Sequence, residues 1–524
     1  MAGTLAERQG PYTGILGGHG LESAAQHILE VSHLAARYAN WRDDYQSRLK
    51  TPDQAVELIQ EGDLVAITIL CSAPLVTAFV ERAKKLGRVD FRTLAPNNAD
   101  LFNPEIVRGE KEIEIFIGDG MRAAHDAKIA TYLPNTFMLG MKAFDAGREE
   151  ARMPDVFLTP CSQPNEQGYV HFGPHMWQRK SYAKRCKKTI AIVDPNMSPV
   201  FGDVWMHVSE IDTFIEGTIK PVDIAGIAER VNTLSNEADR PALLEILQKA
   251  GSEQLALVET MFHAFPPAML ASAFGSVEID PAAQGIADNL RQIVRDGDTI
   301  QVGVGQPSSL MFLAGAFDDR KHLGVHTELG SPGLAKLWER GIIDGSRKTL
   351  FPHKAVAVAW TGCNGEDYKI IANNPAFELH LPENILNPAV MSQNRQMTSI
   401  NSAIAVDLLG QIASEDRFGG HMVNGTGGQP DTHMSAALCK DGRAITVMRS
   451  TAMEGTISKV VAKHEAGTMI TIPRYLADTI ITEYGVARLL DKNHRQRAEE
   501  LISIAHPDFR AELRREAEEL WGKI

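Results

Sequence analysis

The chain has little cysteine, no excess of positive charge and no long apolar run. Its five cysteines, Cys71, Cys161, Cys186, Cys363 and Cys439, are scattered, odd in number and free of any CxxC pair. That pattern excludes a disulfide scaffold and a cysteine-rich zinc site, and fits buried thiols in a reducing compartment. Lysine and arginine total 53 against 66 aspartates and glutamates, a formal net charge of -13, so the concentrated basic surface of a nucleic-acid partner is not expected. The one uncharged stretch of note, Leu64 to Val80, is divided by Ser72 and Pro74 into a strand and a helix start, which makes it core rather than a membrane span. Residues 1 to 20 include Glu7 and Arg8 and lack the basic start and apolar run of a secretion signal, so the expectation is a cytoplasmic protein. Neither GxSxG nor HExxH occurs, which removes the common serine-hydrolase and zinc-peptidase routes.

What is present is length and repetition. With 524 residues and 44% hydrophobic composition, the chain can bury more than one substantial core. AVELIQEGDLVAITIL, residues 55–70, reads as a short helix, a Gly62-Asp63 turn and a strand, with Ser72 placed to cap a following helix. LRQIVRDGDTIQVGVG, residues 290–305, repeats the pattern through a Gly297-Asp298 turn, and PSSLMFL then suits a helix start. Short apolar strands such as TIAIVDP, AVAVAW and AITVMRS alternate with amphipathic segments in each half. The fold class is therefore α/β, built from two related domains with parallel or mixed sheets covered by helices. The expected division is a peripheral segment at 1–50, a first domain at 51–235, a connector at 236–284 with helical spacing through Ile224–Leu247, and a second domain at 285–524.

Two glycine clusters have the composition of anion cradles, because glycine lets backbone N–H groups approach a ligand. One is QVGVG at 301–305 and the other NGTGGQPD at 424–431; tight turns without a ligand explain either equally well, and the first lacks the third glycine of a dinucleotide fingerprint. Glu328 ends the strand-like GVHTEL just before the flexible GSPG, the position where α/β folds place reactive groups. A desolvated, oriented carboxylate there is a nucleophile; an ordinary exposed glutamate is the plain alternative. His326, two residues earlier, would face the same side of a strand and either tune that carboxylate or pack structurally. His171 and His175 are interrupted by Gly173 and Pro174 and suit packing better than metal ligation. The basic run Arg179, Lys180, Lys184, Arg185, Lys187 and Lys188 reads as a solvated helix face or a contact for an anionic ligand or partner subunit.

Taken together, QPNEQGYVHFG, VDPNMSPVFGD with HVSEID, QVGVG, GVHTEL, INSAIAVDLLGQI, NGTGGQPD, RSTAMEGTISKVV, ITEYGVARL and ISIAHPDFR resemble the acetyl-CoA hydrolase and transferase family of class I CoA-transferases, from about residue 51 to 515. The resemblance implies two α/β domains with the active site in the cleft between them, and Glu328 as the nucleophile. Backbone N–H groups at Val304, Gly427 and Gly428 would bind the oxyanion. Gly303, Gly305, Gln306, Gly425, Gln429, Ser450, Glu454 and Gly455 would line the coenzyme A or substrate cleft. It implies transfer of coenzyme A from an acyl-CoA to a small carboxylic acid through glutamyl anhydride and glutamyl-CoA intermediates. No metal and no tightly bound cofactor is expected, coenzyme A being part of the substrate, and a homodimer or higher homo-oligomer is implied. A thioesterase and a noncatalytic CoA-binding protein are the competing readings. The chain departs from the family pattern at ITILCSAPL, where glycines are usual, and after Glu328, where Leu329-Gly330-Ser331-Pro332-Gly333 replaces a bulkier sequence. The small Gly330 would either widen the acyl pocket or be a local loop change.

Overall fold

In the computed structural model the described residues are 37–523, less 70, 72, 94–98, 117–118, 196, 217–223, 234–239, 242–243, 245–278 and 418–419. Most of the connector, including the expected helical stretch beyond Thr233, and the Ser72 cap therefore lie outside the described residues.

Among the described residues ten strands precede the connector, and eight of them join the two large sheets: β1 Leu64–Ile67, β2 Asp90–Thr93, β3 Lys111–Ile113, β4 Thr131–Tyr132, β5 Val156–Ser162, β6 Lys188–Asp194, β7 Phe201–Gly202 and β8 Thr213–Glu216. Seven of them make a parallel sheet in the order β8-β6-β5-β1-β2-β3-β4. After the connector come β9 Thr299–Val302, β10 Gly324–His326, β11 Ala355–Ala357, β12 Phe377–Leu379, β13 Met397–Ser402, β14 Arg443–Val447, β15 Thr479–Thr482 and β16 Gly485–Arg488. They order as β16-β15-β14-β13-β9-β10-β11-β12-β7, all parallel except the β15-β16 hairpin. Each sheet starts in its middle, runs outward three strands, then returns to the middle and runs the other way. The repeat seen in the two GD turns thus extends to the wiring of both halves.

The strands read as apolar runs because helices or the opposite half cover both faces; β1, β5 and β9 are buried along their whole length. Their packing makes one large core, in which Phe157, Val170 and Phe214 of the first half join Ile300, Val325 and Trp360 of the second. The interlock is also topological, since β7 leaves the first half to pair in parallel with β12 at the edge of the second sheet. All five cysteines are buried and none is in a disulfide, and among the described residues no helix is long and apolar enough to cross a membrane.

The structure corrects the reading of the basic run, which is a staple rather than a solvated face. Arg179 is 2% exposed and donates to the carbonyls of Phe172 (2.9 Å) and Ile69 (2.8 Å). Arg185 pairs with Asp145 and Glu383, Lys180 with Asp203 and Lys187 with Asp155. A guanidinium suits the Arg179 position because one rigid fork serves two carbonyls that converge from different loops. Arg179→Met would leave both without a donor, and we expect urea unfolding to show a loss of about 3 kcal/mol; an unchanged midpoint would mean water replaces the arginine.

Candidate active site

The point at which each sheet reverses its strand order leaves a crevice at the carboxyl ends of the strands, where α/β folds bind ligands. In the second sheet the reversal falls between β9 and β13. Glu328 lies two residues beyond the end of β10, immediately beside it. Its backbone is fixed by the neighbouring strand's continuation: the Glu328 carbonyl accepts from Val358 (2.8 Å) and Ala359 (3.1 Å), and Gly330 N–H returns a bond to Ala359 (3.0 Å). Rotamer choice is then the main freedom left to the side chain.

That side chain reaches the N-terminus of the helix Gln429–Leu438, which packs on β13 and β14. Gly428, the N-cap, donates its backbone N–H to the Glu328 carboxylate. The approach is so close that a Cβ on Gly428 would stand 2.0 Å from Oε2 of Glu328. An N-terminal helix position favours a carboxylate through its free N–H groups and the helix dipole.

Around this polar contact the surroundings are apolar and come from both halves. Ile69, Ile115, Phe137 and Trp177 of the first half pack with Leu329, Val358, Ala359, Ile385 and Leu386 of the second. Desolvation in this setting, with the charge of Asp431 adding to it and the Gly428 N–H opposing it, pushes the Glu328 carboxyl up to about 8. Asp431 itself is pushed up to about 7, again by burial, against the stabilising bonds from Thr136 and Met138.

The glycine loop that carries this helix is clamped by the first half. Tyr132 accepts the Thr426 backbone N–H at 2.6 Å and donates to Glu415 at 3.0 Å, while Arg122 binds the Val423 carbonyl at 2.9 Å. Gly425 sits against the Glu114 backbone, where a Cβ would come within 2.6 Å of the carbonyl oxygen. On the other side of Glu328, His175 and Trp177 both bond the Thr361 hydroxyl, at 3.0 and 2.9 Å.

The first glycine cluster meets the same crevice. Val304 is 44% exposed and its Cγ1 lies 3.0 Å from where a Cβ on Gly362 would be, beside the Gly330 carbonyl. Gly303 leaves room for Asn401, and the loop through Gly305 and Gln306 is knitted to β13: Ser402 Oγ donates to the Gly305 carbonyl at 2.9 Å and accepts from Ser308 N–H at 3.0 Å. The helix expected after QVGVG is only a 3₁₀ turn, Ser308–Leu310, because the Ser308 hydroxyl bonds back to the Gly303 and Gly305 carbonyls and holds the chain in the loop. Beneath, Gln301 and Asn401 exchange side-chain bonds at 3.0 and 3.1 Å, and Asn401 also reaches Thr432 at 3.1 Å. This buried network ties β9, β13 and the Gln429–Leu438 helix into one piece.

Thus Glu328, Val304, Gly303, Gly305, Gly425, Gly427, Gly428 and Gln429 occur on loops that converge at one crevice. Ser450, Glu454 and Gly455 follow the carboxyl end of β14, the strand beside β13. Ser450 is fully buried with its hydroxyl on Glu483 at 2.6 Å, and Glu454 and Gly455 form the exposed tip of a hairpin between Thr451–Ala452 and Ile457–Ser458. His326 turns into the core: Nε2–H donates to the Ile385 carbonyl at 2.8 Å, Nδ1 accepts from Asn394 at 2.8 Å, and burial holds it neutral at about 3. Gly330 gives no extra acyl room, because Cys363 Sγ and Trp360 already fill the space of its missing Cβ, at 2.4 and 2.9 Å. Sequence reasoning missed Asp431, Asn401 and Thr432 as site residues, although the first two stand inside quoted motifs and Thr432 directly follows one.

Comparison with known proteins supplies the context. Models of the acetyl-CoA hydrolase/transferase N-terminal and C-terminal domains match residues 33–225 and 365–517. A 4-hydroxybutyrate coenzyme A transferase of Clostridium kluyveri is 32% identical over 482 residues, spanning 91% of this chain and 98% of that protein. The crystal structure of RipA from Yersinia pestis superposes with a TM-score of 0.72 at 26% identity, covering 91% of this chain and 99% of that one. That of a 4-hydroxybutyrate CoA-transferase from Porphyromonas gingivalis gives 0.64 at 26% identity, with 92% and 100% covered.

Two outcomes follow from this geometry. A folded-state carboxyl near 8 against 4.5 in the unfolded chain means that the unfolded state loses its proton first, so wild-type stability falls as pH rises from 4.5 through 8. Glu328→Gln removes that penalty; thermal melts should show the variant gaining on wild type across this window, and a gap that does not grow with pH would mean Glu328 is well solvated. Gly428→Ala keeps an ordinary backbone conformation, φ -94°, yet places a methyl where the carboxylate sits. We expect near-native melting with turnover reduced roughly 100-fold, the cost of an ångström of misplacement.

Proposed function

Because the chain belongs to the acetyl-CoA hydrolase/transferase family, with the two α/β domains of class I CoA-transferases and the CoA-transferase activity general to it, we propose that it moves coenzyme A from an acyl-CoA to a small carboxylic acid through covalent intermediates on Glu328. The observation that carries this reading is the Glu328 carboxylate held against the Gly428 N–H within an apolar seam of the two halves.

In the proposed cycle a Glu328 carboxylate oxygen bonds to the acyl carbonyl carbon, and the carbon–sulfur bond breaks with its electron pair leaving on the CoA thiolate. The carbonyl oxygen carries negative charge in the tetrahedral state, where N–H groups of the Val304 and Gly427-Gly428 loops are the donors on hand. The thiolate then attacks the Glu328 carbonyl carbon of the mixed anhydride. Its carbon–oxygen bond breaks, the first acid departs as a carboxylate, and a glutamyl-CoA thioester remains. An incoming carboxylate runs the same steps in reverse and leaves with the coenzyme A. No proton is consumed, so the site needs no general acid. It needs a dry environment, because water reaching either intermediate would turn transfer into hydrolysis. The seam residues Phe137, Trp177, Leu329 and Leu386 support this requirement, being buried or nearly so.

The test is a panel of acyl-CoAs, with and without carboxylates such as 4-hydroxybutyrate, followed by mass spectrometry of the thioesters. New acyl-CoA that appears only with an acceptor, at constant total thioester, is expected, and Glu328→Gln should lower the rate by at least ~1,000-fold. Acceptor-independent release of free coenzyme A would make the protein a hydrolase. Full turnover in Glu328→Gln would remove Glu328 from the chemistry.

A further inference from the structure

We propose that Asp431 is a positioning residue that keeps Glu328 reactive by holding a second, ionised carboxylate against the same helix terminus; the proposal rests on Glu328 being the nucleophile.

Asp431 is the third residue of the helix whose N-cap is Gly428. An acidic side chain at that position ordinarily folds back onto the N-cap N–H, as Asp367 does on Asn364 at the start of the helix Gly365–Ile371. Here the N-cap N–H is given to Glu328 instead. Asp431 turns away to the first half, where its Oδ2 accepts from the Met138 N–H at 3.2 Å and the Thr136 hydroxyl adds a second bond. It is only 4% exposed. An acidic residue is thus buried beside another, with its natural local partner taken and two donors imported from across the cleft.

The groups facing the pair are few. Thr136 and Met138 approach from the first half, Leu386 from the segment after the Pro382–Ile385 turn, and Asn401 and Ser399 reach Thr432 on the helix. His433 on the same helix is kept neutral by burial and bonds the Leu476 carbonyl at 2.9 Å. Among the described residues Asp431 is the charged group whose field acts on Glu328, and its effect is repulsive. The two donors favour ionisation of Asp431 ahead of Glu328, so that its charge is in place when Glu328 gives up its proton.

A like charge beside a carboxylate raises the energy of the free anion and leaves a neutral ester or thioester untouched. It therefore favours transfer of the Glu328 electron pair to an acyl carbon, and it makes the carboxylate more basic and a better nucleophile. The same charge means that the free enzyme must lose a proton before it reacts.

The experiment is the pH dependence of kcat/KM for acyl exchange in wild type, Asp431→Asn and Thr136→Val, with Glu328→Gln measured alongside. Asp431→Asn should move the acidic limb of the profile to lower pH by about one unit and lower the alkaline plateau roughly three- to tenfold. Thr136→Val removes a donor that favours the ionised Asp431 and should give a smaller shift in the same direction. It carries the test if Asp431→Asn fails to fold. An acidic limb that stays in place while activity falls at every pH would overturn the proposal and leave Asp431 as a fastener between the halves. Activity retained by Glu328→Gln is the separate result that would sink the nucleophile reading itself.

Discussion

A carboxylate taken out of water is costly unless donors replace the hydration it loses, and the arrangement around Glu328 follows from how incompletely this chain replaces it. One backbone N–H at a helix end is the stabilising contact, against an apolar lining from two halves of the protein and a second acid three residues into the helix. Adding a lysine or several N–H donors would have quieted the group. The sequence instead supplies Leu386, Leu329, Val358 and Ile385 on one side and Ile69, Ile115, Phe137 and Trp177 on the other, so that desolvation dominates.

Such a group must be held rigidly, because an unhappy carboxylate would otherwise rotate toward solvent. The restraint comes from elements that are satisfied among themselves. β10 and β11 lock the Glu328 backbone, the Gln301–Asn401–Thr432 bonds fix the helix relative to both central strands, and Tyr132 and Arg122 hold the glycine loop from the other half. Two halves with the same wiring each offer a crevice at the strand reversal, and docking them face to face lines that crevice with apolar side chains from both. β7 crossing to the second sheet makes that docking part of the fold rather than an optional contact.

Much of this was legible in the sequence where the signal is local. Turn glycines and apolar runs announce two α/β halves, and a glutamate ahead of GSPG marks the position proposed for the nucleophile, while the strand order and its reversal are not legible in them. The failures share a cause, which is that the deciding partner is distant along the chain. Alternation along a strand predicts His326 and Glu328 on one face, yet β10 ends at His326, and beyond the last ladder residue period two no longer applies. Arg179 reads as one of a solvated run until the carbonyls of Ile69 and Phe172 arrive from elsewhere. Gly330 reads as pocket space until Trp360 and Cys363 occupy it. The donors that hold Asp431 and Glu328 are in part backbone N–H groups of Met138 and Gly428, which no residue letter announces.

The same physics orders the states of the proposed cycle. The free carboxylate is the state this seam tolerates least, whereas the anhydride and the thioester carry no charge on Glu328 and bring apolar atoms to apolar walls. Desolvation and the charge of Asp431 therefore press in one direction, toward occupancy of Glu328 by an acyl or thioester group. For transfer this bias is useful twice: it speeds the attack on a thioester, and it lengthens the life of the covalent state until a second carboxylate enters. A hydrolase has no use for the second effect, since its intermediate need only meet water. Stability is the quantity given up, as expected where an active group is kept in an environment that disfavours it, and the cost falls on the Glu328 and Asp431 side chains, while the Glu328 backbone stays bonded to Val358 and Ala359.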